Sequence, residues 1–223
     1  MFEEKFHVIT FDCYGTLIDW ESGIKSFFQS EAARDGIEID DRQIIEAYSA
    51  EEPKVESGPY RPYREVLSET ARRVARRFGW DLKPKRADLL AESLIDWEPF
   101  LDTNPALERL ARRFELGILS NIDDDLLAQT RKRFTVDFQI IVTAQQVKSY
   151  KPGFAHFEKA RTLAGDASFL HAAQSYFHDV VPATRLNIPV AWINRNASVV
   201  AANGPSPTFE FRNLTDLADL LET

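Results

Sequence analysis

Short apolar runs alternate along most of the chain with stretches in which apolar residues recur every three or four positions. A short apolar run between polar residues is typical of a buried strand, whereas the longer spacing is typical of a helix with one buried face. Strands are predicted at residues 8–12, 116–120, 139–143, 168–173, 189–193 and 209–211. Helices are predicted at residues 105–114, 124–134, 154–163, 181–186 and 214–221. This alternation predicts an α/β fold with a Rossmann-like, doubly wound parallel sheet.

The alternation is interrupted once, directly after the first strand. Four helical patterns follow one another over residues 21–34, 41–50, 62–78 and 86–97. They predict a four-helix cap that is inserted into the sheet domain. The core domain is expected to comprise residues 1–17 and 99–223, and the cap domain residues 18–98.

Polar side chains stand at the predicted carboxyl ends of four strands. These positions are Asp12 with Thr16, Ser120 with Asn121, Lys151, and Asp179. Each one alone is equally well explained as a helix cap or a turn residue. Because the carboxyl ends of parallel strands converge on one crevice, the four together favour a shared active site. Asp12 is the candidate nucleophile, since a carboxylate can form an ester that divides one difficult reaction into two steps.

The four positions resemble the four motifs of the haloacid dehalogenase superfamily over nearly the whole chain. The segments that resemble the type II, or L-2-haloacid, dehalogenase branch are Phe11-Asp12-Cys13-Tyr14-Gly15-Thr16-Leu17, Ser120-Asn121, Tyr150-Lys151-Pro152 and Trp192-Ile193-Asn194-Arg195. The resemblance implies a hydrolase in which Asp12 displaces the C2 substituent of a small 2-substituted carboxylic acid, with inversion, and water then hydrolyses the ester. Lys151 and Asp179 would hold and activate that water, and Thr16 would bridge Asp12 to Lys151.

The same resemblance implies which groups bind the substrate. Its carboxylate would be held by Ser120 and by the backbone N–H groups of Cys13 and Tyr14, which can form an anion-binding nest. Asn121 would donate its side-chain N–H₂ to the leaving group. The predicted set is completed by Ser175 and Tyr176. His178 is expected to orient this last segment rather than to act as a base.

Two residues argue against a phosphatase, which is an alternative within the superfamily. Tyr14 stands where phosphate-transferring relatives need a second, proton-carrying aspartate, and Gln174 stands where they place an acid that holds Mg²⁺. Mg²⁺ prefers anionic oxygen ligands. The sequence therefore predicts a reaction at carbon with no metal or other cofactor. Cys13 is interpreted as a space-filling residue rather than a reactive thiol.

The sequence does not decide the identity of the leaving group. The dehalogenase branch usually places an arginine in the second cap helix to receive the halide, but the matching segment, residues 48–54, carries Glu51 and Glu52. Acids there would suit a leaving amine, and the chain also resembles azetidine-2-carboxylate hydrolase, which opens a cyclic amine. The interpretation that we favour places both acids at an exposed helix end. A nonenzymatic binding module is a further alternative, but it would not need the four strand-end positions together.

The composition limits the kinds of molecule that the protein is expected to bind. The 27 basic and 35 acidic side chains give a net charge of −8, which disfavours binding to nucleic acid or to an anionic membrane. One cysteine excludes an internal disulfide, and no apolar run approaches the about 20 residues of a membrane-spanning helix. Residues 1–12 do not resemble a signal peptide. We therefore expect a cytoplasmic protein whose partner is a small carboxylic acid, and the family resemblance allows a homodimer.

Overall fold

A six-stranded parallel sheet organises the computed structural model, which describes residues 6–200 and 203–222. Its strands are β1 (Val8–Phe11), β2 (Glu115–Ser120), β3 (Ile140–Thr143), β4 (Phe169–Ala173), β5 (Val190–Ile193) and β6 (Phe209–Phe211). Their order is β3-β2-β1-β4-β5-β6, and every neighbouring pair is parallel. This order confirms the predicted doubly wound sheet. The strand order reverses between β1 and β4, which is where such sheets bind ligands.

The central strands are apolar because both faces of the sheet are covered. All residues of β1, β4 and β5 are buried. Val8, Leu119, Val142 and Val190 belong to one core cluster that also includes Phe157. Continuous apolar runs of this kind are typical of parallel strands that do not face water on either side. The rigid sheet therefore fixes the positions of the polar residues that follow each strand.

Helices and short helical turns connect the strands. They are α1 (Trp20–Arg34), α2 (Asp41–Glu56), α3 (Tyr63–Arg77), α4 (Pro84–Ala87), α5 (Leu89–Ser93), α6 (Thr103–Leu110), α7 (Asp124–Thr130), α8 (Ala144–Val147), α9 (Ala155–Ala164), α10 (Val181–Arg185) and α11 (Leu214–Glu222). Two 3₁₀ turns span Leu94–Asp96 and Arg131–Arg133, and a π-helical turn spans Tyr176–Val180. No helix within the described ranges is long and apolar enough to cross a membrane.

The inserted helices differ from the predicted ones in two places. The single helix expected over residues 86–97 is replaced by α4, α5 and the turn at Leu94–Asp96. Pro84 begins α4 at its first position, where a missing backbone N–H costs nothing. Helix α2 continues to Glu56 instead of ending at residue 50, with Pro53 in its last turn. Proline has no N–H to donate to the preceding turn, but its φ is compatible with a helix, and its carbonyl accepts the backbone N–H of Ser57 at 3.0 Å, which closes the last turn.

The chain folds into two compact units. The sheet unit runs to Ile18, continues over Pro99–Asn121 and resumes at Lys132, while the helical unit comprises Asp19–Glu98 and Ile122–Arg131. The sequence pattern places residues 122–131 in the core domain, whereas in the structure they belong to the helical unit. The buried Asp123 carboxylate explains this, because it accepts the backbone N–H groups of Tyr63 at 2.9 Å and Arg64 at 3.0 Å. Asp123 thus caps the first turn of α3 from a distant segment.

Candidate active site

Asp12 directly follows β1 and is only 7% exposed. Its backbone N–H donates to Ala172 O at 3.0 Å, which continues the pairing with β4 for one more residue. The chain then turns sharply, and the N–H groups of Leu17 and Ile18 both donate to Cys13 O. Gly15 has a φ of +96°, a conformation that other residues adopt only with strain. The apolar strand and the glycine turn together hold the Asp12 carboxylate at the switch point of the sheet.

Thr16 fixes one oxygen of this carboxylate. Its hydroxyl donates to Asp12 Oδ2 at 2.8 Å and accepts the backbone N–H of Gln174 at 2.9 Å. Because the Gln174 N–H occupies the acceptor side, the hydroxyl proton is directed at Asp12. Thr16 was expected to bridge Asp12 to Lys151, and this detail is wrong. Lys151 binds the other carboxylate oxygen, and Thr16 instead joins Asp12 to the segment after β4.

Lys151 links the two candidate carboxylates. Its Nζ donates to Asp12 Oδ1 at 2.8 Å, to Asp179 Oδ1 at 2.7 Å and to Leu119 O at 2.8 Å, and the side chain is 1% exposed. An ammonium group has three donors, and each has an acceptor here. The peptide bond between Lys151 and Pro152 is cis. Lys151 is therefore in direct contact with both Asp12 and Asp179, as its predicted place in a shared site requires.

Asn121 holds the backbone of Lys151. Its Oδ1 accepts the Lys151 N–H at 2.7 Å, and its Nδ2 donates to Lys151 O at 3.0 Å. This reciprocal pair positions the lysine without using the second Nδ2 proton. The expected donation from Asn121 to a leaving group stays a prediction, and it would have to use that second proton.

Asp179 lies in the π-helical turn after β4 and is 1% exposed. Its Oδ1 accepts two hydrogen bonds, from Lys151 at 2.7 Å and from His171 Nε2 at 2.9 Å. Its Oδ2 is buried and has no hydrogen-bond donor among the described residues. Unpartnered buried carboxylate oxygens are costly, so this atom is a natural acceptor for a small polar ligand such as water.

The charges of the three groups depend on one another. Burial works against the Lys151 ammonium, but Asp12 and Asp179 outweigh it and hold the pKa of Lys151 above its usual value. Burial also opposes the Asp179 carboxylate, but Lys151 and His171 hold its pKa well below the ordinary range. For Asp12 the burial effect wins, so its pKa is raised although Lys151 opposes the shift. Asp179 is therefore the firmly ionised group, and Asp12 is the more basic carboxylate.

The remaining predicted binding residues surround this centre within the sheet unit. Ser120 ends β2 and is 1% exposed, and its carbonyl accepts from His156 Nε2 at 3.1 Å. Cys13 is fully buried, and burial raises the pKa of its thiol well above the usual value. Tyr14 and Ile18 form an isolated β-bridge. The contribution of Cys13 and Tyr14 N–H groups to a carboxylate nest stays a prediction.

Ser175 and Tyr176 have protein partners of their own. The Ser175 hydroxyl accepts the His178 backbone N–H at 3.1 Å and lies 3.1 Å from His178 Nδ1. The Tyr176 hydroxyl donates to Pro205 O at 2.6 Å, and its ring packs against Trp192. These contacts hold the turn that carries Asp179. Their expected role in substrate binding stays a prediction.

Glu51 and Glu52 do not lie at an exposed helix end, so that interpretation is wrong. Both are partly buried within α2. Glu51 pairs with Lys54 at 2.9 Å and Arg77 at 3.4 Å, whereas Glu52 accepts the Tyr63 hydroxyl at 3.0 Å. Burial raises the pKa of Glu52 to about 6. Because α2 continues to Glu56, both acids lie within the helix and each contacts a residue of α3.

Three buried polar residues in this region were not singled out from the sequence. They are Thr10, His156 and His171, each with no exposed surface. A signal was present for His171, which interrupts the apolar run of β4 with a group that must find a buried partner. Within the described residues, no group of three or more His, Cys, Asp or Glu side chains is arranged to hold a metal ion.

His156 gives a testable pH dependence of stability. Burial and the Lys151 charge lower its pKa to about 3, so the folded protein keeps this ring neutral. An unfolded histidine titrates at about pH 6.5, so the unfolded state takes up a proton as the pH falls from 7 to 5. This uptake is expected to lower the unfolding free energy by about 2 kcal/mol over that interval.

The variant His156→Gln isolates this effect, since glutamine keeps an N–H for Ser120 O but does not titrate. The unfolding free energy, measured in urea, should decrease for the wild type between pH 7 and pH 5 by about 2 kcal/mol more than it does for His156→Gln. The matched control His7→Gln, at an exposed position, should follow the wild type. Equal losses for His156→Gln and the wild type would contradict the assignment of a neutral buried ring.

The chain is similar to known proteins along nearly its whole length. A family model of haloacid dehalogenase-like hydrolases matches residues 6–172. The chain is 28% identical over 221 residues to an (S)-2-haloacid dehalogenase of Pseudomonas sp. (strain YL), covering 96% of this chain and 94% of that protein. It is 26% identical over 219 residues to (S)-2-haloacid dehalogenase H-109 of Pseudomonas putida, covering 96% of each.

A solved structure shares the fold. The L-2-haloacid dehalogenase from Xanthobacter autotrophicus with chloropropionic acid covalently bound has a TM-score of 0.84 at 18% identity, covering 97% of this chain and 98% of that one. The family match itself spans well over half of the chain, including β1 with Asp12 and the segment that carries Lys151. The chain therefore belongs to the haloacid dehalogenase-like hydrolases.

Proposed function

We propose that this hydrolase removes the halogen from C2 of a small (S)-2-haloacid through an ester on Asp12, without a metal ion. The observation that carries the proposal is the contact of the Lys151 ammonium with both buried carboxylates, at 2.8 Å from Asp12 Oδ1 and 2.7 Å from Asp179 Oδ1. The substrate class is supported by the names of the two Pseudomonas relatives, which match nearly the whole chain.

The first step is a displacement at carbon. An Asp12 oxygen forms a bond to C2 while the carbon–halogen bond breaks, and the halide leaves with the bonding electron pair. Thr16 and Lys151 each donate to a different Asp12 oxygen, so the carboxylate cannot rotate freely and is held for attack. Its raised pKa, which results from burial, gives it the basicity that a carboxylate in water lacks. The product is a neutral ester of Asp12.

The second step is hydrolysis of that ester. Water adds to the Asp12 carboxyl carbon and gives one proton to a nearby base. The bond between that carbon and the ester oxygen then breaks, and this oxygen takes the proton from the base and leaves as the hydroxyl of the 2-hydroxy acid. The second proton of the water passes to solvent. Although the pKa of Asp179 is held low, Asp179 is the base in this proposal, because it is ionised and its Oδ2, buried without a protein donor, can accept the proton of a water molecule while Asp12 is blocked as the ester. Lys151 stays in contact with both groups and stabilises the negative charge that develops on the Asp12 oxygen. Asp12 is regenerated as a carboxylate.

The absence of a metal requirement is proposed from the residues themselves. Lys151 already supplies a positive charge between Asp12 and Asp179. Gln174 offers no carboxylate for a cation, and its backbone N–H and C=O bind Thr16 and Trp192. Tyr14 provides no carboxylic acid to protonate a phosphate leaving group. These features favour attack on carbon over phosphoryl transfer.

Chloride release from L-2-chloropropanoate tests the proposal. Purified protein in EDTA should release chloride and form 2-hydroxypropanoate, added MgCl₂ should not increase the rate, and D-2-chloropropanoate should react far more slowly. Absence of chloride from the folded wild-type protein would contradict the proposal, and azetidine-2-carboxylate would then be tested for ring opening. Mg²⁺-dependent hydrolysis of p-nitrophenyl phosphate would instead support a phosphatase.

A further inference from the structure

His171 occupies a fully buried position beside the proposed base. It lies in β4, directly opposite Thr10 of β1 in the parallel pairing, and both residues have no exposed surface. The Thr10 hydroxyl lies 2.9 Å from His171 Nδ1, and His171 Nε2 lies 2.9 Å from Asp179 Oδ1. The rings of Phe157 and His171 pack nearly at right angles, with centroids 5.2 Å apart. The ring is thus held on one side by the neighbouring strand and on the other by Asp179.

The direction of the hydrogen bond to Asp179 follows from the partners. An ionised carboxylate only accepts, so His171 Nε2 must carry a proton. In a neutral ring Nδ1 then accepts the Thr10 hydroxyl proton, and in a charged ring Nδ1 donates to the hydroxyl oxygen. In both cases Nε2 remains the donor to Asp179. Thr10 therefore holds the ring in the orientation that points Nε2 at the carboxylate.

The consequence appears at the two oxygens of Asp179. Oδ1 accepts hydrogen bonds from both His171 and Lys151, whereas Oδ2 accepts none from the described residues. Lys151 alone could not fix this difference, because it also binds Asp12 and its flexible chain could follow a rotation of the carboxylate. A second donor on a rigid strand fixes which oxygen is occupied. It leaves Oδ2 as the acceptor that can hold a water molecule.

We infer that His171 is a positioning residue for the hydrolytic half of the reaction, acting by holding Asp179 so that Oδ2 receives the attacking water. The inference rests on the proposed function. It assigns His171 to ester hydrolysis and not to halide displacement, since the hydrogen bonds of Asp12 come from Thr16 and Lys151. Loss of the His171 donor should therefore slow the second step selectively.

Two variants of His171 distinguish the effect of losing its hydrogen-bond donor from the effect of losing the packing of its ring. His171→Leu removes the N–H, whereas His171→Gln can place an amide N–H near the position of Nε2. In a single turnover of L-2-chloropropanoate, chloride release reports ester formation, and intact-protein mass reports the ester on Asp12. For His171→Leu we expect chloride release within about 3-fold of the wild type and ester decay slowed about 10- to 100-fold, the range for losing a hydrogen bond to a charged group.

His171→Gln should restore ester decay to within about 5-fold of the wild type, since it keeps a donor to the charged oxygen. A general loss of packing would slow both steps together and would not be rescued by the amide. If His171→Leu fails to fold in a urea titration, Thr10→Val replaces it, because valine has the shape of threonine and removes only the hydroxyl that orients the ring. Thr10→Val should slow ester decay in the same direction by a smaller factor.

The outcomes separate this inference from the proposed function. Absence of chloride from the wild type overturns the proposed function and the inference together. A wild type that turns over, with His171→Leu and Thr10→Val either unchanged in ester decay or slowed equally in both steps, overturns the inference alone. Accumulation of the ester in His171→Leu and its disappearance in His171→Gln supports the positioning role.

Discussion

The variant Asp12→Asn is expected to lose at least about 10⁴-fold in turnover of L-2-chloropropanoate, which is the scale on which removal of a nucleophile acts. An amide oxygen is a far weaker nucleophile than a carboxylate, and no other described carboxylate contacts both Thr16 and Lys151. Asparagine has nearly the same shape, but its amide keeps only one acceptor oxygen, so either Thr16 or Lys151 loses its acceptor and faces the amide N–H₂. The measurement is steady-state chloride release, together with mass analysis for an ester on residue 12.

Folding of this variant should be intact. The substitution removes one of the two carboxylates that pair with Lys151, but burial disfavours that carboxylate and Asp179 stays paired with the lysine, so the unfolding free energy should fall by less than the about 3–5 kcal/mol typical of a buried charge left without a partner. Asp137→Asn, at an exposed position, is the matched control and should keep full turnover. A folded Asp12→Asn protein with chloride release near the wild-type rate would contradict the nucleophilic role of Asp12 and, with it, the ester mechanism.

The variant Lys151→Met is expected to lose both turnover and stability. Methionine fills similar space but leaves Asp12 and Asp179 buried without their shared cation, and Leu119 O loses a donor. Breaking a buried ion pair by removing one partner typically costs about 3–5 kcal/mol. We expect a loss of this size in urea unfolding at pH 7. The matched control is Lys159→Met, at an exposed position of α9, which should unfold like the wild type.

The sign of the pH effect distinguishes this explanation from lost packing. In the wild type the pKa of Asp179 is held low, so its contribution is present above the unfolded pKa of about 4 and is lost only in strong acid. Without Lys151 the buried carboxyls should have pKa values above those of the unfolded chain, so the folded state binds protons as the pH falls. The stability difference between Lys151→Met and the wild type should therefore shrink from pH 7 to pH 5. A constant difference would indicate that lost packing, rather than charge, destabilises the variant.

Helix boundaries in the inserted segment depended on contacts that a local pattern does not contain. The sequence over residues 86–97 does show the three-to-four spacing, but the chain divides there into α4, α5 and a 3₁₀ turn. Asp88, between α4 and α5, accepts the hydroxyl proton of Ser68 in α3 at 2.6 Å. Residues 122–131 follow a core strand in sequence, yet Asp123 caps α3 and brings them to the helical unit. In both cases tertiary contacts overrode a correct local propensity.

Periodicity along the chain determined the parallel α/β sheet and the polar residues at its strand ends, because side-chain burial repeats differently in strands and helices and parallel strands direct their carboxyl ends to one edge. This was enough to bring Asp12, Lys151 and Asp179 to one site. Only the tertiary structure decided how these groups are held. The contacts of Thr16 with Gln174 and of Thr10 with His171 join residues 158 and 161 positions apart. Such contacts depend on which strands are neighbours and on their register, and β1 and β4 are neighbours in the sheet although two strands separate them in the chain.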